Sequence, residues 1–584
     1  MWMTDNYTDG KKQQISVTTG MHRSRAKLMS RLFIIVISLF VFQQAKAQTP
    51  SWAKKATKSV FTLKTFAKDG TLIGSSTGFF VTDDGEAVSC FTPFRGASRA
   101  VVIDSQDKEM EVTYMLGAND TYDVAKFRVD TKKSQPLAIA GNAAEGDHLW
   151  MLPYREVKNC PEATVRRAET FRDDYAYYTL SAAMPNAESV GCPLMTVNGE
   201  VAGLMQQPAG MRDTLTYAVS AAFAASLKLN GLSINDAILK STDIPKDLPD
   251  DLEQANLTLY LASASMDSLS YDNLVEAFLR KFPSAPDGYY YRAQRSLVAN
   301  NFAAAARDME TAIDKSSKKD ETHFNYAQMI YQKELYKSDI PYEPWSLDKA
   351  FSEAGEACRI NEQPLYRQLQ AQILFAQKKY SDAIHIYNTL VGGELRSAQL
   401  FFEASRCHEM LRDTTAQLAM LDSAVATFSR PYLKEAAPYL YMRAQARLNA
   451  GRFRDAVNDM NDYETLMPSG LTDRFYYIRF QAEVGGRLFQ QALNDIDRAV
   501  NLRPDYDLYY AEKASLQVRV GLYDDAIVTS KECIRQAPDY SDGYLFLGLA
   551  QCAKGQKAEG IANLKKAKEL GDDQADALIE KYSK

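Results

Sequence analysis

The feature that most constrains the fold is a 34-residue period in the second half of the chain. Segments 473–506, 507–540 and the segment from 541 onward follow one pattern. The equivalent small residues and prolines are Ala492 and Ala526, Ala499 and Cys533, and Pro504 and Pro538. Small residues at fixed positions let two helices pack closely, and neither helix buries its apolar face without the next unit. Residues 252–584 are therefore predicted to form stacked helix pairs.

Further units extend the pattern toward the N-terminus. Segment 437–470 is one, and others start near Ser397, Pro364, Asp320 and Pro286. The pattern resembles the tetratricopeptide repeat. The resemblance implies an all-α right-handed superhelix of about eight units over 252–584, with a degenerate unit near 252–282. It also implies that a protein or peptide partner binds the concave face.

One unit carries an insertion at residues 333–345. This segment lengthens the connection between Tyr331 and Leu347, and it contains prolines and the aromatic residues Tyr336, Tyr342 and Trp345. Two interpretations stay open, a packed loop or a contact with a partner.

The candidate binding residues are the fifth and ninth positions of the repeat units, which the resemblance places on the concave face. They are Tyr290 and Gln294, Gln368 and Gln372, Phe401 and Ser405, Tyr441 and Gln445, and Tyr477 and Gln481. Each pair is spaced i,i+4 and shares one helix face. Phenol rings and amides suit an extended peptide, although ordinary contacts between repeats would use the same residues. The lysine and asparagine arrangement that clamps a C-terminal carboxylate in some repeats of this type is not evident.

The first half of the chain contains short β-type runs and a motif at Val190-Gly191-Cys192-Pro193-Leu194, followed by a turn at Asn198-Gly199. This resembles the Gly-Asn-Ser-Gly-Gly-Pro-Leu motif of trypsin-like serine proteases. Val190 then occupies the position of the nucleophilic serine. A valine has no proton to give up and no lone pair with which to attack a carbonyl.

Two more segments support the resemblance. Segment 74–85 resembles the entry strands of high-temperature-requirement (Deg-type) proteases, and it places Thr92 at the position of the general base. Segment 116–125 places Asp123 at the position of the carboxylate that orients the histidine. The resemblance implies a trypsin-like double β-barrel over 51–230 whose triad positions hold Thr92, Asp123 and Val190. A threonine hydroxyl does not accept a proton near neutral pH, so we expect no ordinary triad chemistry.

Other residues of the first half are candidates for catalysis. His148 is the only histidine in 51–250, and we expect it to be a strand residue held by a neighbour or by water. An unconventional nucleophile, Ser189 or Cys192, is the enzyme alternative, although a reactive thiolate needs an electropositive setting. Glu188 stands where the family has a glycine of the oxyanion hole, which impairs oxyanion stabilisation. Pairing among Cys90, Cys160 and Cys192 stays open, as an odd total of seven cysteines leaves at least one thiol unpaired in a monomer.

The N-terminus predicts export. Lys27 and Arg31 precede the apolar run 32–42, which is too short for a membrane span, and Ala45-Lys46-Ala47 offers a signal-peptidase site. Residues 1–47 are therefore predicted to be a signal peptide with an N-terminal extension, cleaved near Ala47-Gln48. No cysteine lies directly after the run, which argues against a lipid-modified anchor, and no transmembrane anchor is expected. The chain is predicted to be periplasmic or extracellular.

Charge limits the partners. Residues 1–47 carry seven lysines and arginines against two aspartates, so their removal changes the formal net charge from −6 to −11. A polyanion is repelled by such a chain, which excludes nucleic acid as a partner. No metal site or cofactor is expected, and the oligomeric state stays open.

The leading hypothesis is a non-catalytic exported scaffold. In it, a degenerate protease domain at 51–230 is joined through a linker at 231–251 to a peptide-binding repeat domain at 252–584. The alternatives are a serine-type endopeptidase-like enzyme with an unconventional nucleophile, and a barrel that only caps the first repeats.

Overall fold

The structure is a computed structural model that describes residues 50–155, 160–172, 174–181, 189–207, 216–393 and 396–584. The predicted signal segment at 1–47 and Glu188 lie outside these residues. The chain divides into two compact units, Met1–Pro283 and Ser284–Lys584. Within the described ranges, no helix has the length and apolar character needed to cross a bilayer.

The first unit begins with a short helix α1 (Ala53–Ala56) and a closed antiparallel barrel in the order β1-β2-β3-β6-β5-β4. Its strands are β1 (Val60–Phe66), β2 (Leu72–Phe80), β3 (Glu86–Ser89), β4 (Arg99–Ile103), β5 (Glu109–Asn119) and β6 (Val124–Val129). Burial alternates along β1, as the two-residue period of a strand requires. Phe61, Leu63 and Phe127 fill the barrel interior together with Phe94.

A second closed antiparallel barrel follows in the order β10-β11-β12-β9-β8-β7. Its strands are β7 (His148–Met151), β8 (Glu162–Phe171), β9 (Tyr175–Ser181), β10 (Pro193–Met195), β11 (Val201–Met205) and β12 (Thr216–Ser220). Ala176, Tyr178 and Leu180 alternate into its core from β9. The two barrels confirm the predicted trypsin-like double β-barrel.

A third apolar cluster contains residues of both barrels. Val60, Phe79 and Val124 of the first barrel belong to it with Leu204 and Val219 of the second. Helix α2 (Ala221–Ser226), which follows the last strand, adds Phe223 to the cluster. The barrels are therefore joined by a continuous buried interface.

The predicted linker packs against the first barrel. Leu239, in helix α3 (Ala237–Lys240), and Ile244 are 3% and 1% exposed and belong to the core of that barrel. The Met115 N–H donates to the Pro245 carbonyl at 2.8 Å, and the Asp247 N–H donates to the Met115 carbonyl at 3.2 Å. Residues 231–251 thus extend the sheet and the core of the first barrel.

Helices occupy the rest of the chain. Two of them, α4 (Leu252–Ser263) and α5 (Ser268–Lys281), belong to the first unit. In the second unit the first helices of the pairs are α6 (Pro286–Val298), α8 (Lys319–Tyr336), α10 (Pro364–Ala376), α12 (Ala398–Met410), α14 (Ala437–Asn449), α16 (Asp473–Gly485), α18 (Asp507–Arg519) and α20 (Ser541–Ala553). The second helices are α7 (Phe302–Lys315), α9 (Leu347–Ile360), α11 (Tyr380–Val391), α13 (Thr414–Ala426), α15 (Phe453–Leu466), α17 (Phe489–Leu502), α19 (Tyr523–Gln536) and α21 (Lys557–Glu569), and α22 (Ala575–Ser583) closes the array.

These first helices begin within one residue of the repeat starts predicted from the sequence. The small residues that defined the period are fully buried, with Ala492, Ala526 and Cys533 each 0% exposed. Close packing at these positions explains why the period is visible in the sequence. The all-α repeat architecture of the tetratricopeptide type is confirmed.

An arginine–aspartate pair with a separation of 16 residues recurs inside three helix pairs. In each pair the Nε and one terminal nitrogen of the arginine donate to the two carboxylate oxygens of the aspartate, which lies on the second helix. The pairs are Arg292 and Asp308, Arg443 and Asp459, and Arg479 and Asp495, with distances from 2.6 to 3.0 Å. Bidentate geometry fixes the two helices of a unit relative to each other.

The insertion at 333–345 is a packed loop rather than an open extension. Trp345 is 3% exposed, and its indole N–H donates to the Tyr326 hydroxyl at 3.0 Å. Its ring contacts Phe302 and Tyr342. The aromatic residues of the insertion other than the exposed Tyr336 therefore contribute to the core of the repeat unit.

Candidate functional site

Thr92, the first of the cleft residues predicted from the protease resemblance, lies just after β3. The chain turns there through a 3-10 helix, Thr92–Phe94, with a proline in its first turn. The Thr92 N–H donates to Asp123 Oδ1 at 2.6 Å, and its hydroxyl donates to the same oxygen at 2.9 Å. The structure thus brings Thr92 and Asp123 together, although no histidine stands between them.

Asp123 lies in the tight turn between β5 and β6, with φ +43. Burial raises the pKa of its carboxyl, while hydrogen bonds from Thr92 and from Cys90 lower it. In a protease triad such a carboxylate orients an imidazole. Here its hydrogen-bond partners are a hydroxyl, backbone N–H groups and a thiol, and none of these can take up a proton from a nucleophile.

Val190 lies at the junction of the two barrels. Its carbonyl accepts a hydrogen bond from the Thr77 N–H at 2.8 Å, and its side chain packs against the cluster that joins the barrels. Gly191 follows with φ +83, and a Cβ there would overlap the Thr77 carbonyl oxygen. Only glycine fits this turn, which explains why the glycine is present although the serine position before it holds a valine.

The thiols near this turn are poor nucleophiles. Cys90 and Cys192 are 1% and 0% exposed. Burial raises the pKa of Cys192 to about 12 and that of Cys90 well above its ordinary value. Both groups are therefore neutral thiols near neutral pH. Cys90, Cys192, Cys358, Cys407, Cys533 and Cys552 are free thiols in the structure.

His148 takes no part in the cleft geometry. It lies on β7 of the second barrel with an exposed side chain, and its Nδ1 is 2.7 Å from Glu162 Oε1 on the adjacent strand β8. Its role as a strand histidine held by a neighbour agrees with the sequence-based expectation.

An aromatic cluster that the sequence did not reveal lies beside Asp123. Tyr122 stacks on Phe171 with ring centroids 4.1 Å apart, and both rings contact Phe223 of α2. The cluster therefore joins the turn that carries Asp123 to the β8–β9 hairpin of the second barrel. Such aromatic contacts stabilise the position of the turn.

In the second unit, the predicted binding residues are mostly half-buried, and they contact one another or neighbouring side chains. The Gln294 amide donates to the Tyr290 hydroxyl at 2.7 Å, and Gln294 is exposed. Tyr441 contacts the rings of Tyr463 and Phe475, with centroids 5.2 and 6.5 Å apart. The neighbouring Gln445 is half-buried.

Phe401 differs from the others because it is 5% exposed, packed with Ala398 and Ala424. Ser397 caps the N-terminus of α12, so the helix begins one residue later than the repeat start assumed from the sequence. Counting from Ala398 puts Phe402, which is half-buried, at the fifth position. Phe401 and the buried Ser405 therefore belong to the core of the repeat.

Two carboxylates that the sequence analysis missed belong to the same set of contacts. Glu403 accepts from the amides of Gln368 and Gln372, the closest contacts with each being 3.1 and 3.0 Å. Glu512 accepts from the Tyr477 hydroxyl at 3.1 Å, and the exposed Gln481 also hydrogen bonds to Tyr477. Both glutamates are the sixth residue of their helix, a signal that a count from the true helix starts would have found. We call Tyr290, Gln294, Gln368, Gln372, Tyr441, Gln445, Tyr477 and Gln481, with Glu403 and Glu512, the first-helix surface.

No protein-family model matches the chain. A curated relative, the small glutamine-rich tetratricopeptide repeat-containing protein 2 of Saccharomyces cerevisiae, is 31% identical over 85 residues, which are 14% of this chain and 25% of the relative. The chain thus spans a quarter of the length of that relative.

Two solved structures are similar to the chain in part. The active form of the Rv3671c protease from M. tuberculosis is 21% identical with a TM-score of 0.28, and the match covers 35% of this chain and 89% of that one. An inactive mutant form of the protease is also 21% identical, with a TM-score of 0.25 and coverage of 30% and 89%. The strand order of the two barrels and the paired helices define this chain as a trypsin-like double β-barrel followed by tetratricopeptide-type repeats.

Proposed function

We propose that this protein is an exported, non-catalytic adaptor that binds an extended peptide or protein segment on the first-helix surface. The observation that carries the proposal is the triad region, where Thr92 donates both of its hydrogen bonds to Asp123 and the nucleophile position is Val190. Without a base and a nucleophile, a protease fold retains its shape and loses the acyl-enzyme route.

The first-helix surface supports the binding half of the proposal. Its aromatic rings and amides lie on the first helices of several pairs, and its outermost amides, Gln294 and Gln481, are exposed. Phenol rings supply contact area at a low entropy cost, and amides can donate to and accept from a peptide backbone. The signal peptide predicted at residues 1–47, with its predicted cleavage site near Ala47, supports export.

Site-specific crosslinking tests where the partner binds. A photoreactive phenylalanine analogue is placed at Gln294, Gln445 or Gln481 of the full chain, expressed in its native envelope. Matched controls carry it at Val528, which is 70% exposed on a second helix, and at the exposed Thr92 in the barrel cleft. We expect the first-helix positions to give adducts with a common partner, in each case through one linear segment of that partner.

The outcomes separate the candidate roles. Adducts at Thr92 alone would make the barrel the recognition module and contradict the proposal. Equal adducts at Val528 and at the first-helix positions would show non-specific contact, which also contradicts it. Cleavage of casein by the purified mature chain would contradict the non-catalytic half separately.

A further inference from the structure

A cavity of about 540 Å³ lies within the first unit, between β5, the segment 229–249 and helices α4 and α5. This volume lies in the range of sites that bind small molecules. More of its exposed lining is apolar than polar, and the apolar residues that line it include Leu229, Ile234, Pro245, Met266, Leu274 and Ala277. Neither the cleft nor the first-helix surface includes any of these residues.

One wall of the cavity carries a lysine whose backbone is fixed by the sheet. The residues on either side of Lys246 hydrogen bond to Met115 of β5, so Lys246 pairs with β5 as a short parallel bridge. Its Nζ donates to the Thr242 carbonyl at 2.7 Å, and the side chain is half-buried. Burial lowers the pKa of the ammonium group, which Asp243 partly offsets. An ammonium has three protons to donate, so this one retains donors for a further acceptor.

A second cation, Arg280 of α5, lines the same cavity and is exposed. Two acids, Asp243 and Asp247, also line the wall, and each has a partner other than Lys246 and Arg280. Asp243 accepts from the Ser98 hydroxyl at 2.8 Å, and Asp247 Oδ2 lies 3.5 Å from the Lys281 ammonium. Within the described ranges, neither Lys246 nor Arg280 has a carboxylate oxygen within 4.0 Å.

We propose that this cavity binds a carboxylate carried at the end of an apolar chain. The apolar walls favour burial of the chain, because transfer of each methylene group from water to an apolar environment is favourable. The carboxylate then accepts from Lys246, whose partial desolvation strengthens a charge-assisted hydrogen bond, and from the planar donors of Arg280. A free fatty acid and the C-terminal apolar residue of a peptide share this chemistry.

Calorimetric titration of the full mature chain tests the proposal with defined probes. The probes are decanoate, decanol, and a hexapeptide ending in Ala-Val-Leu with either a free or an amidated C-terminus. The variants are Lys246→Met, which keeps the length of the side chain, Arg280→Gln at an exposed position, and Ala277→Trp, which fills the cavity. Lys240→Met serves as the control, because Lys240 lies on the adjacent helix α3 and does not line the cavity.

We expect decanoate or the free-acid peptide to bind the wild type and the control equally. Lys246→Met and Arg280→Gln should each weaken binding by about tenfold or more, and Ala277→Trp should abolish it. Binding of decanoate alone assigns the site to a fatty acid, and binding of the free-acid peptide alone assigns it to a chain terminus.

Three results would overturn the proposal. One is that neither carboxylate probe binds the wild type. Another is that decanol or the amidated peptide binds as tightly as its acid counterpart. The last is that Arg280→Gln, which is exposed and cannot disturb the core, and Lys246→Met both bind with unchanged affinity.

Discussion

Glu483 is predicted to lower the free energy of unfolding of the helical repeats at neutral pH, and Glu483→Gln is predicted to raise it. The side chain is 4% exposed, and its Oε2 has no hydrogen-bond partner among the described residues. The nearest cation, Arg479, is bound through both carboxylate oxygens of Asp495 and also pairs with Glu464, so it approaches Glu483 only to 4.0 Å. Burial and the neighbouring Asp495 raise the pKa of Glu483 from 4.5 to about 8.

The direction of the pH dependence of stability follows from the number of protons bound in the folded and unfolded states. Between pH 4.5 and pH 8 the folded chain holds a proton on Glu483 that the unfolded chain has released, so the stability contributed by this site falls as pH rises. Each pH unit above the pKa of the unfolded state costs about 1.36 kcal/mol, so the loss of stability at pH 7 is about 3 kcal/mol. A glutamine has the shape of the protonated acid and carries no such cost.

Differential scanning calorimetry of wild type and Glu483→Gln at several pH values measures this effect on the transition that contains the repeats. We expect nearly equal Tm values at pH 5, a growing advantage of the glutamine variant up to pH 8, and a constant difference above that. Glu569→Gln, at an exposed glutamate, controls for the change in total charge. A difference in Tm that is the same at pH 5 and pH 8 would refute the reasoning.

Further predictions concern the packing and the two candidate sites. Ala526→Arg inserts a charged side chain at a position that is 0% exposed, so it should lower the free energy of unfolding by about 3 kcal/mol and reduce the helical circular dichroism signal; an unchanged melting curve would mean that the repeat register is wrong. Gly191→Ala should cost about 2 kcal/mol in urea unfolding, because the left-handed φ and the Thr77 carbonyl exclude a Cβ. The mature chain should neither cleave casein nor react with fluorophosphonates, and labelling of Ser189 would show the opposite. Tyr477→Ala should weaken binding of an identified partner by about thirtyfold, or 2 kcal/mol, in a titration where the fold is checked by Tm; normal binding would remove this residue from the proposed surface.

The repeat architecture was predictable because small residues recur at the positions where close helix packing requires them. Ala492 and Ala526 sit where two helix backbones approach closely, and any larger residue would disrupt the packing. Helix caps were less visible. The 34-residue period places Ser397 as the first residue of a helix, whereas in the structure its side chain caps the helix that begins at Ala398. This difference of one residue is why Phe401, rather than Phe402, was predicted at the fifth position.

The cleft and the aromatic cluster show which contacts cannot be predicted from the sequence alone. Thr92 and Asp123 are 31 residues apart in the chain, with a β-hairpin between them, so no local sequence pattern indicates that they meet. Their proximity was predicted only from the family resemblance. The aromatic cluster around Tyr122 brings together residues from segments that are distant in the chain. No local period links such residues, so only the folded structure brings them together.

The attachment of residues 231–251 to the first barrel determines where the protein can be divided. A fragment that ended at residue 230 would remove Leu239 and Ile244 from the barrel core and leave the Met115 N–H without its acceptor at Pro245. It would also open apolar surface that the full chain keeps from water, which favours aggregation. A separately expressed protease-like half should therefore extend to Pro283, the last residue of the first unit.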